Sequence, residues 1–383
     1  MINQKENNMI VELHILQNFP PASLNRDDTN SPKDCEFGGH RRARISSQCL
    51  KRSVRLSEDF RSRLGGSTSI RTKRLHAQLK RLLELPPDPD KSSDEAVSSL
   101  IENVYCKMDS KSAQQTSVPL YLSARELAAL ADRIRPHWND FLADADKAFS
   151  KHCKGIEKEL TDCCSSDIAL FGRMMAEKPA QNIDAASQVA HAISTNRLSM
   201  EMDFFTAVDD LLPAGESGAG MMGIVEYNSS CFYRYSNVDV SQLTRNLRND
   251  LDLARKTLQA FIHASITAIP SGKQTSTAAR TMPSFILGVV RTDASAWSLA
   301  NAFVKPIAPS RANNEDIVEG SIIALGKYWS ALTDAFGAEG VATKVACSIG
   351  YQCPENLADA AVPSVNRFVD RIVAAVEIEE VVS

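Results

Sequence analysis

The order of the periodic segments most strongly limits the folds open to this chain of 383 residues. Residues 224–240 place alternate side chains on two faces, as a β-strand does, and residues 249–268 repeat apolar positions at helical spacing. With long insertions set aside, the order of such segments is strand, helix, strand, strand, helix, strand. This is the split βαβ, or ferredoxin-like, order that RNA-recognition modules use. The sequence therefore predicts an α+β fold.

The remaining elements are predicted from the same two periodicities. Further strands are expected at residues 9–16, 41–45, 167–171, 283–291 and 341–350, and further helices at residues 46–65, 184–195, 316–336 and 363–376. Residues 17–40 are expected to form a long loop. Residues 75–160 are mostly helical and indicate an inserted subdomain. Residues 213–223, rich in Gly, are expected to form a loop tip.

Charge is distributed unevenly along the chain, whose formal net charge is −4. Residues 23–80 contain 14 Lys and Arg against 6 Asp and Glu, a local charge of +8 that leaves −12 on the remainder. This asymmetry predicts a basic face for an anionic partner on an acidic body. A solvated helix face explains the charge alone equally well.

The nine cysteines indicate a reducing, cytoplasmic location, because their number is odd, no CxxC occurs and no apolar signal segment is seen at the start. No apolar run approaches the roughly 20 residues that cross a bilayer, so no membrane partner is expected. The spacing of His152, Cys153, Cys163 and Cys164 matches no zinc pattern. We therefore expect no metal and no cofactor.

Motifs for catalysis are weak. The segment PSGKQTS, residues 270–276, lacks the residues of a phosphate-binding Walker loop, and no GxSxG is present. The adjacent Asp27 and Asp28 suit Mg²⁺ beside a phosphodiester, but they suit salt bridges or a turn cap better, because no second acidic cluster lies nearby. No catalytic residue is expected.

The basic segment itself has features that suit a phosphate chain. Residues 37–39, FGG, allow close backbone approach to a ligand, and the following Arg residues alternate between the faces of an extended segment. A helix starting at Ser46 or Ser47 offers free backbone N–H groups to an anion, and residues at i, i+3 and i+7 line one stripe. The residues expected to contact phosphates are Arg41, Arg42, Arg44, Ser46, Ser47, Gln48, Lys51 and Arg55.

Several blocks of the sequence are similar to one known family. They are SLNRDD (23–28), KDCEFGGHRRARISSQCLKR (33–52), IALFGRM (168–174), AHAIST (190–195), FFTAVDDL (204–211) and SSCFYRY (229–235). In this order they resemble the CasC family, the backbone subunits of the type I-E CRISPR surveillance complex, Cascade. The segments GKQ (272–274) and SLANAF (298–303) extend the resemblance.

The resemblance implies a hand-shaped subunit with a modified RNA-recognition (RRM, ferredoxin-like) palm, a helical fingers insertion and a β-hairpin thumb. The implied division is palm 1–64, fingers 65–165, palm 166–200, thumb 201–235 and palm 236–383. Further copies, expected to form a hexameric filament, would polymerise along one CRISPR RNA (crRNA) beside other Cascade subunits. Target DNA would be read by pairing with the guide.

The resemblance also implies site residues. The guide-binding positions would be Arg26, Lys33, Ser46, Gln48, Lys51, Arg55 and, in the GKQ segment, Lys273; Met174 would be an apolar wedge beside a displaced base. His40 and Cys49 depart from the expected pattern. The alternative is a metal-dependent RNA-cleaving subunit that uses Asp27 or Asp28. A DNA-binding regulator fits less well, since no helix-turn-helix pair surrounds the basic helix.

Overall fold

The structure is a computed structural model that describes residues 9–86, 90–162, 164–208, 219–310, 312 and 314–381. Its strands are β1 Ile10–Ala22, β2 Asp34–Phe37, β3 His40–Ile45, β4 Ser69–Thr72, β5 Met108–Asp109, β6 Ser112–Thr116, β7 Leu120–Ser123, β8 Ser187–Val189, β9 Ala192–Ser194, β10 Met200–Val208, β11 Ala219–Asp239, β12 Phe285–Arg291 and β13 Val341–Ser348.

The α-helices are α1 Ser47–Leu56, α2 Glu58–Leu64, α3 Leu75–Leu82, α4 Lys91–Val104, α5 Ala124–Ile134, α6 Trp138–Ala143, α7 Ala145–His152, α8 Ile156–Asp162, α9 Ser166–Phe171, α10 Val240–Asn246, α11 Leu251–Thr267, α12 Gln274–Thr277, α13 Ile317–Phe336 and α14 Val365–Ala374. Short 3₁₀ helices cover Arg135–His137, Pro179–Gln181, Ala300–Phe303 and Glu355–Ala360. The sequence predicts an α+β fold, and the mixture of helices with an antiparallel sheet is confirmed.

The main sheet is antiparallel and has the strand order β13-β12-β1-β11-β9-β3-β2, with β8 and β10 also paired to β11. Strand β1 pairs with β11 on one side and with β12 on the other. Its first residue, Ile10, lies opposite Asp239 of β11 and Arg291 of β12. The central position of β1 explains why its residues are buried on both sides.

The two faces of β1 pack into different cores. Val11 and Leu13 belong to a core with Phe261 of α11 and Phe368 of α14. Leu16, on the opposite face, belongs to a core with residues of β12 and α13. The sheet is therefore covered on both faces, which leaves its rim and its loops to carry a binding surface.

A third core belongs to the inserted segment between α3 and α8. Leu100, Leu130 and Phe141 are buried in it, and it includes Met175 from beyond the insertion. The sequence predicts a mostly helical insertion, and α3 to α8 agree with that prediction. Two small sheets, β4 with β7 and β5 with β6, were not predicted.

Two predicted elements are wrong. Residues 167–171 were expected to be a strand but lie in α9, because a short apolar run carries no period that separates strand from buried helix. Residues 184–195 were expected to be helical but contain β8 and β9, which pair with β11. Pairing to a distant strand overrides local preference in this region.

Other boundaries differ in smaller ways. The expected loop at 17–40 is shorter, because β1 continues to Ala22 and β2 follows. Pro20 and Pro21 are tolerated there because pairing with β12 ends at Leu16, so this end of β1 has an open edge. The expected helix 46–65 divides at Ser57, which caps α2 through its side chain.

The remaining elements are confirmed: the helices at 249–268, 316–336 and 363–376 and the strands at 41–45, 283–291 and 341–350 to within a few residues, and the strands at 9–16 and 224–240 as parts of the longer β1 and β11. The predicted loop tip at 213–223 lies largely outside the described residues, and its last positions belong to β11. Within the described ranges, no helix combines the length and the apolar character that crossing a membrane requires.

Candidate nucleic-acid interface

The basic helix α1 begins at a tightly built cap. Ser46 Oγ accepts a hydrogen bond from Cys49 N at 3.3 Å, and Ser46 N donates to Asn25 Oδ1 at 2.8 Å. Lys33 N donates to Asn25 O at 2.8 Å. Asn25, which the sequence did not single out, thus ties the loop carrying Arg26 and Lys33 to the start of α1. Ser46 is 6% exposed, so its side chain serves as a cap and does not face a ligand.

Gln48, Lys51 and Arg55 lie on one face of α1, as predicted, and we call these three residues the α1 stripe. Gln48 is exposed and both cations are partly exposed, while Leu50 and Val54 are buried on another side of the helix. Lys51 Nζ lies 6.0 Å from the centre of the Phe171 ring, and the Arg55 guanidinium lies 5.2 Å from the Tyr121 ring. Burial lowers the pKa of Lys51.

A cleft of about 730 Å³ opens beside α1. Arg26 from the loop after β1, Arg52 from α1 and Arg280 line it together with residues 267–269, 271 and 272, and the acidic Asp27 and Glu58 also line it. Gly272 allows this segment to approach the loop, because a Cβ there would lie 2.3 Å from Leu24 O. Lys273 follows with φ of 53° and precedes α12.

Arg52 and Arg280 are the cations that sequence reasoning missed at this cleft. Arg52 was inside the basic block but off the predicted stripe. Arg280 carried no local signal.

The three arginines of β3 have different environments, and Arg42 contradicts its predicted role. Its side chain is buried and donates to Ser194 O and Thr195 O at 2.9 Å and to Phe303 O at 2.7 Å. Because this guanidinium is buried and donates to backbone carbonyls of the protein interior, it cannot contact a phosphate. Arg41 is exposed and forms an ion pair with Asp34.

Arg44 lies in a positively charged group at the rim. Its Nη1 is 3.2 Å from His191 Nδ1, and its Nε donates to Asp34 O at 3.1 Å. The pKa of His191 is lowered by burial and then by the charges of Arg44 and Lys33. Arg44 and Lys33 both lie close enough to His191 to disfavour its protonation. His191 is therefore a further residue of the basic surface around Arg44.

The role predicted for the glycines after β2 is also wrong. Gly38 and Gly39 have φ of 62° and 74°, the left-handed values that a two-residue type I′ hairpin turn requires. A Cβ on Gly38 would lie 2.2 Å from Val304 O. The close approach that Gly38 allows is to the protein's own backbone.

Met174 is 84% exposed, which rules out the core position that a lone Met usually takes. It follows Phe171 and Gly172 at the end of α9, and the Phe171 ring is the one under Lys51. An exposed apolar side chain therefore lies three residues from a ring that contacts the α1 stripe.

Asp27 is occupied by its own turn. Its Oδ1 accepts from Thr29 N at 2.9 Å, Thr29 Oγ1 at 2.8 Å and Ser31 N at 3.0 Å. These hydrogen bonds lower the pKa of Asp27, with the Thr29 side chain the largest cause. Asp28 is exposed. Across the described residues, no three His, Cys, Asp or Glu side chains converge as a metal site would need.

Comparison with known proteins identifies relatives of this chain. The sequence profile of a family described as CT1975-like protein matches residues 11–371. A chain of a solved CRISPR RNA-guided surveillance complex in a pre-nicking state is 28% identical, with a TM-score of 0.80 over 96% of this chain and 99% of that one.

A chain of a second CRISPR RNA-guided surveillance complex is 24% identical and has a TM-score of 0.73 over 96% and 100% of the two chains, which shows a shared fold. No curated protein matches. Because the family profile spans nearly the whole sequence, the chain belongs to the CT1975-like protein family.

Proposed function

We propose that this protein is a non-catalytic backbone subunit that binds crRNA in a type I-E Cascade complex. The observation that carries the proposal is the α1 stripe. Its cations, Lys51 and Arg55, rest on aromatic rings and form no ion pair with a carboxylate among the residues that the structure describes. Partly desolvated cations without a counter-charge are suited to an external anion.

The stripe suits a single strand held by its backbone. Lys51 and Arg55 lie one helical turn apart, so each can meet a different phosphate, and Gln48 can reach a phosphate or sugar. Arg26, Arg52 and Arg280 extend the positive surface into the neighbouring cleft. None of these contacts needs a particular base. This agrees with a subunit that holds the guide by its backbone, while base pairing between guide and target recognises the sequence.

The sheet order supports an RRM-like palm. The sequence β12-β1-β11-β9, with α1 after β1 and α11 after β11, matches the arrangement of a split βαβ fold. The hairpin of β10 and β11 supports the proposed thumb. It exposes Met202 and Phe204 on one strand and Ile224 on the other, at 72%, 61% and 64%.

Large apolar side chains so exposed indicate contact with another subunit. We propose that this contact is with further copies, joined head to tail in an open, hexameric filament. Other Cascade subunits would cap the filament, and target DNA would pair with guide segments between the thumbs.

The test is to purify the protein from cells that express a CRISPR array and to examine the bound nucleic acid. We expect a discrete small RNA of uniform length that resists removal at moderate salt. Purification free of RNA, or with DNA duplex of mixed length, would contradict the proposal.

The non-catalytic part is supported by the turn at Asp27, whose Oδ1 already accepts three hydrogen bonds. It is tested by incubating the assembled complex with complementary RNA and Mg²⁺. We expect no cleavage. Periodic cuts that disappear in Asp27→Ala or Asp28→Ala would establish the cleaving alternative.

A further inference from the structure

Met174 lies between two residues whose side chains are buried. Arg173 and Met175 are each 5% exposed, whereas Met174 is 84% exposed. Met175 belongs to the core of the inserted helical segment. The side chains on both sides of Met174 are thus buried, while the Met174 side chain itself faces outward.

The anchor at Arg173 is a buried ion pair. Its Nη1 donates to Glu126 Oε2 at 2.7 Å, and both side chains are 1% exposed. The guanidinium also donates from Nε to Gln181 O at 3.2 Å and from Nη1 to Tyr121 O at 3.4 Å. The planar guanidinium thus joins the Met174 segment to the first turn of α5 and to β7 at once.

Glu126 is itself held in place by the start of α5. It forms a capping box with Ser123, whose Oγ accepts from Glu126 N at 2.9 Å. Burial raises the pKa of Glu126, and the Arg173 charge opposes that rise. Ser123 N also donates to Glu126 Oε2 at 3.4 Å, so the oxygen that accepts from Arg173 is oriented by the helix cap as well.

The backbone on both sides of Met174 is also fixed. Arg173 and Ile183 exchange two hydrogen bonds of 2.9 Å, and Met175 N donates to Asn182 Oδ1 at 2.6 Å. Gly172, with φ of 76°, passes so close to Ala185 that a Cβ would lie 3.0 Å from Ala185 N. The segment is a rigid support for one exposed side chain.

The same support reaches the α1 stripe. Tyr121 accepts from Arg173 through its carbonyl and contacts Arg55 through its ring. Arg173 is thus linked to Glu126 of the inserted segment and, through Tyr121, to Arg55 of the α1 stripe, and it is adjacent to Met174 in the chain.

We propose that the buried Arg173–Glu126 ion pair is a positioning device that holds Met174 outward against the guide strand. The inference rests on the proposed function, because it assumes that Met174 meets a base. Packing alone does not require the pair, since well-packed apolar residues often replace a buried ion pair at no loss of stability. Its specific contribution is to fix the direction of the segment through oriented hydrogen bonds.

The experiment compares wild type, Met174→Ala and the double variant Arg173→Met/Glu126→Leu, each assembled on a synthetic guide RNA with 2-aminopurine at one position in turn. The fluorescence of 2-aminopurine rises when its base leaves the stack. We expect regularly spaced bright positions in wild type and at least a twofold loss of that contrast in both variants. RNA affinity in the double variant should stay within about threefold of wild type, with an unchanged salt slope.

Wild-type contrast in the double variant would overturn the role of the pair, and wild-type contrast in Met174→Ala would overturn the role of Met174. Absence of RNA binding by wild type would instead overturn the proposed function. If the double variant does not fold, Arg173→Lys decides, since it keeps the charge but lacks the fork of donors. Reduced contrast with intact affinity supports the proposal, and full contrast overturns it.

Discussion

The helix α1 and the inserted segment from α3 to α8 differ in the share of their cations that pair with carboxylates. In the inserted segment, six of the twelve Lys and Arg side chains pair with carboxylates in the described part of the chain: Lys80 with Asp94, Lys91 with Glu95, Arg133 with Glu159, Arg135 with Asp132, Lys147 with Asp144 and Lys151 with Asp140. In α1, Lys51, Arg52 and Arg55 pair with none within the described part of the chain.

The difference shows that a count of basic residues does not locate a binding surface. A cation beside a carboxylate is neutralised locally and adds little to stability at a surface. A cation without one keeps its field and favours an external anion. The basic surface is therefore placed at α1, where three cations without a counter-charge among the described residues lie within five residues of one helix, and four predictions test this comparison.

The largest effect is expected at Arg42, the cation that belongs to neither group. Arg42→Ala should lower the free energy of unfolding by about 3–5 kcal/mol, because buried carbonyls of residues 194–195 and 303–304 lose their donor. Chemical denaturation measures the loss. The exposed Arg41→Ala is the control, with an expected change within about 1 kcal/mol. If Arg42→Ala were as stable as wild type but bound RNA more weakly, the result would contradict the internal role and indicate that Arg42 contacts RNA.

The double variant Lys51→Ala/Arg55→Ala should weaken guide RNA binding by about 100-fold or more, since a hydrogen bond to a charged group contributes about 1.5–3 kcal/mol. The slope of log affinity against log salt should flatten by about 1.4, because each lost contact removes about 0.7 for a single strand.

The matched control is Arg133→Ala/Lys147→Ala, which removes two paired cations of the inserted segment. Its affinity should stay within about twofold of wild type. Equal losses in the two double variants would break the comparison, since pairing would then be irrelevant to binding.

Titration should also separate the inserted segment from the main sheet, where Glu12 of β1 is buried. In the inserted segment, hydrogen bonds from His152 and Lys151 lower the pKa of Asp140, so its contribution to stability is lost as pH falls. In β1, burial raises the pKa of Glu12 to about 7, against the opposing effect of its hydrogen bond from Tyr235. Because the pKa of Glu12 is higher in the folded state than its ordinary value of 4.5, the folded state binds the proton more tightly than the unfolded state. The stability that this binding gives below pH 4.5 is lost as pH rises toward 7.

Glu12→Gln keeps the acceptor for Tyr235 and Trp297 N and removes the charge. We expect the free energy of unfolding to change little at pH 4.5 and to rise by an amount on the order of 2 kcal/mol at pH 8. The figure follows from about 1.4 kcal/mol per pKa unit, reduced because the site relaxes around the charge. Thermal unfolding at both pH values measures it. A gain independent of pH would show that Glu12 does not titrate in this range.

The smallest effect is expected for a single exposed pair of the inserted segment. Arg133→Ala removes the partner of Glu159, and both side chains are more than 40% exposed. The loss in unfolding free energy should be below about 1 kcal/mol and should shrink further in 1 M salt. A loss of several kcal/mol would mean that these pairs hold the segment together.

Features that depend on near neighbours in the chain were predictable. The helix start at Ser46, the α1 stripe and the strand β11 follow from capping and periodicity, which involve residues only a few positions apart. Its spacing of i, i+3 and i+7 predicts the stripe, and the structure places its three members on one face of α1.

Features that depend on distant partners were not predictable. Arg42 and Arg44 look alike in the sequence, but the donors of Arg42 meet carbonyls 152 to 262 positions away, whereas Arg44 lies at the rim beside His191. The strands β8 and β9 form because β11 offers them an open edge.

By itself, the sequence determined the α+β class, the basic helix and its cap, because these arise from local backbone geometry and short-range periodicity. Only the tertiary structure decided which cations stay without a counter-charge, that Arg42 is internal, and that Arg173, the neighbour of Met174 in the chain, meets Glu126. Burial and ion pairing are set by side chains brought together across long stretches of chain, and no local pattern specifies those contacts.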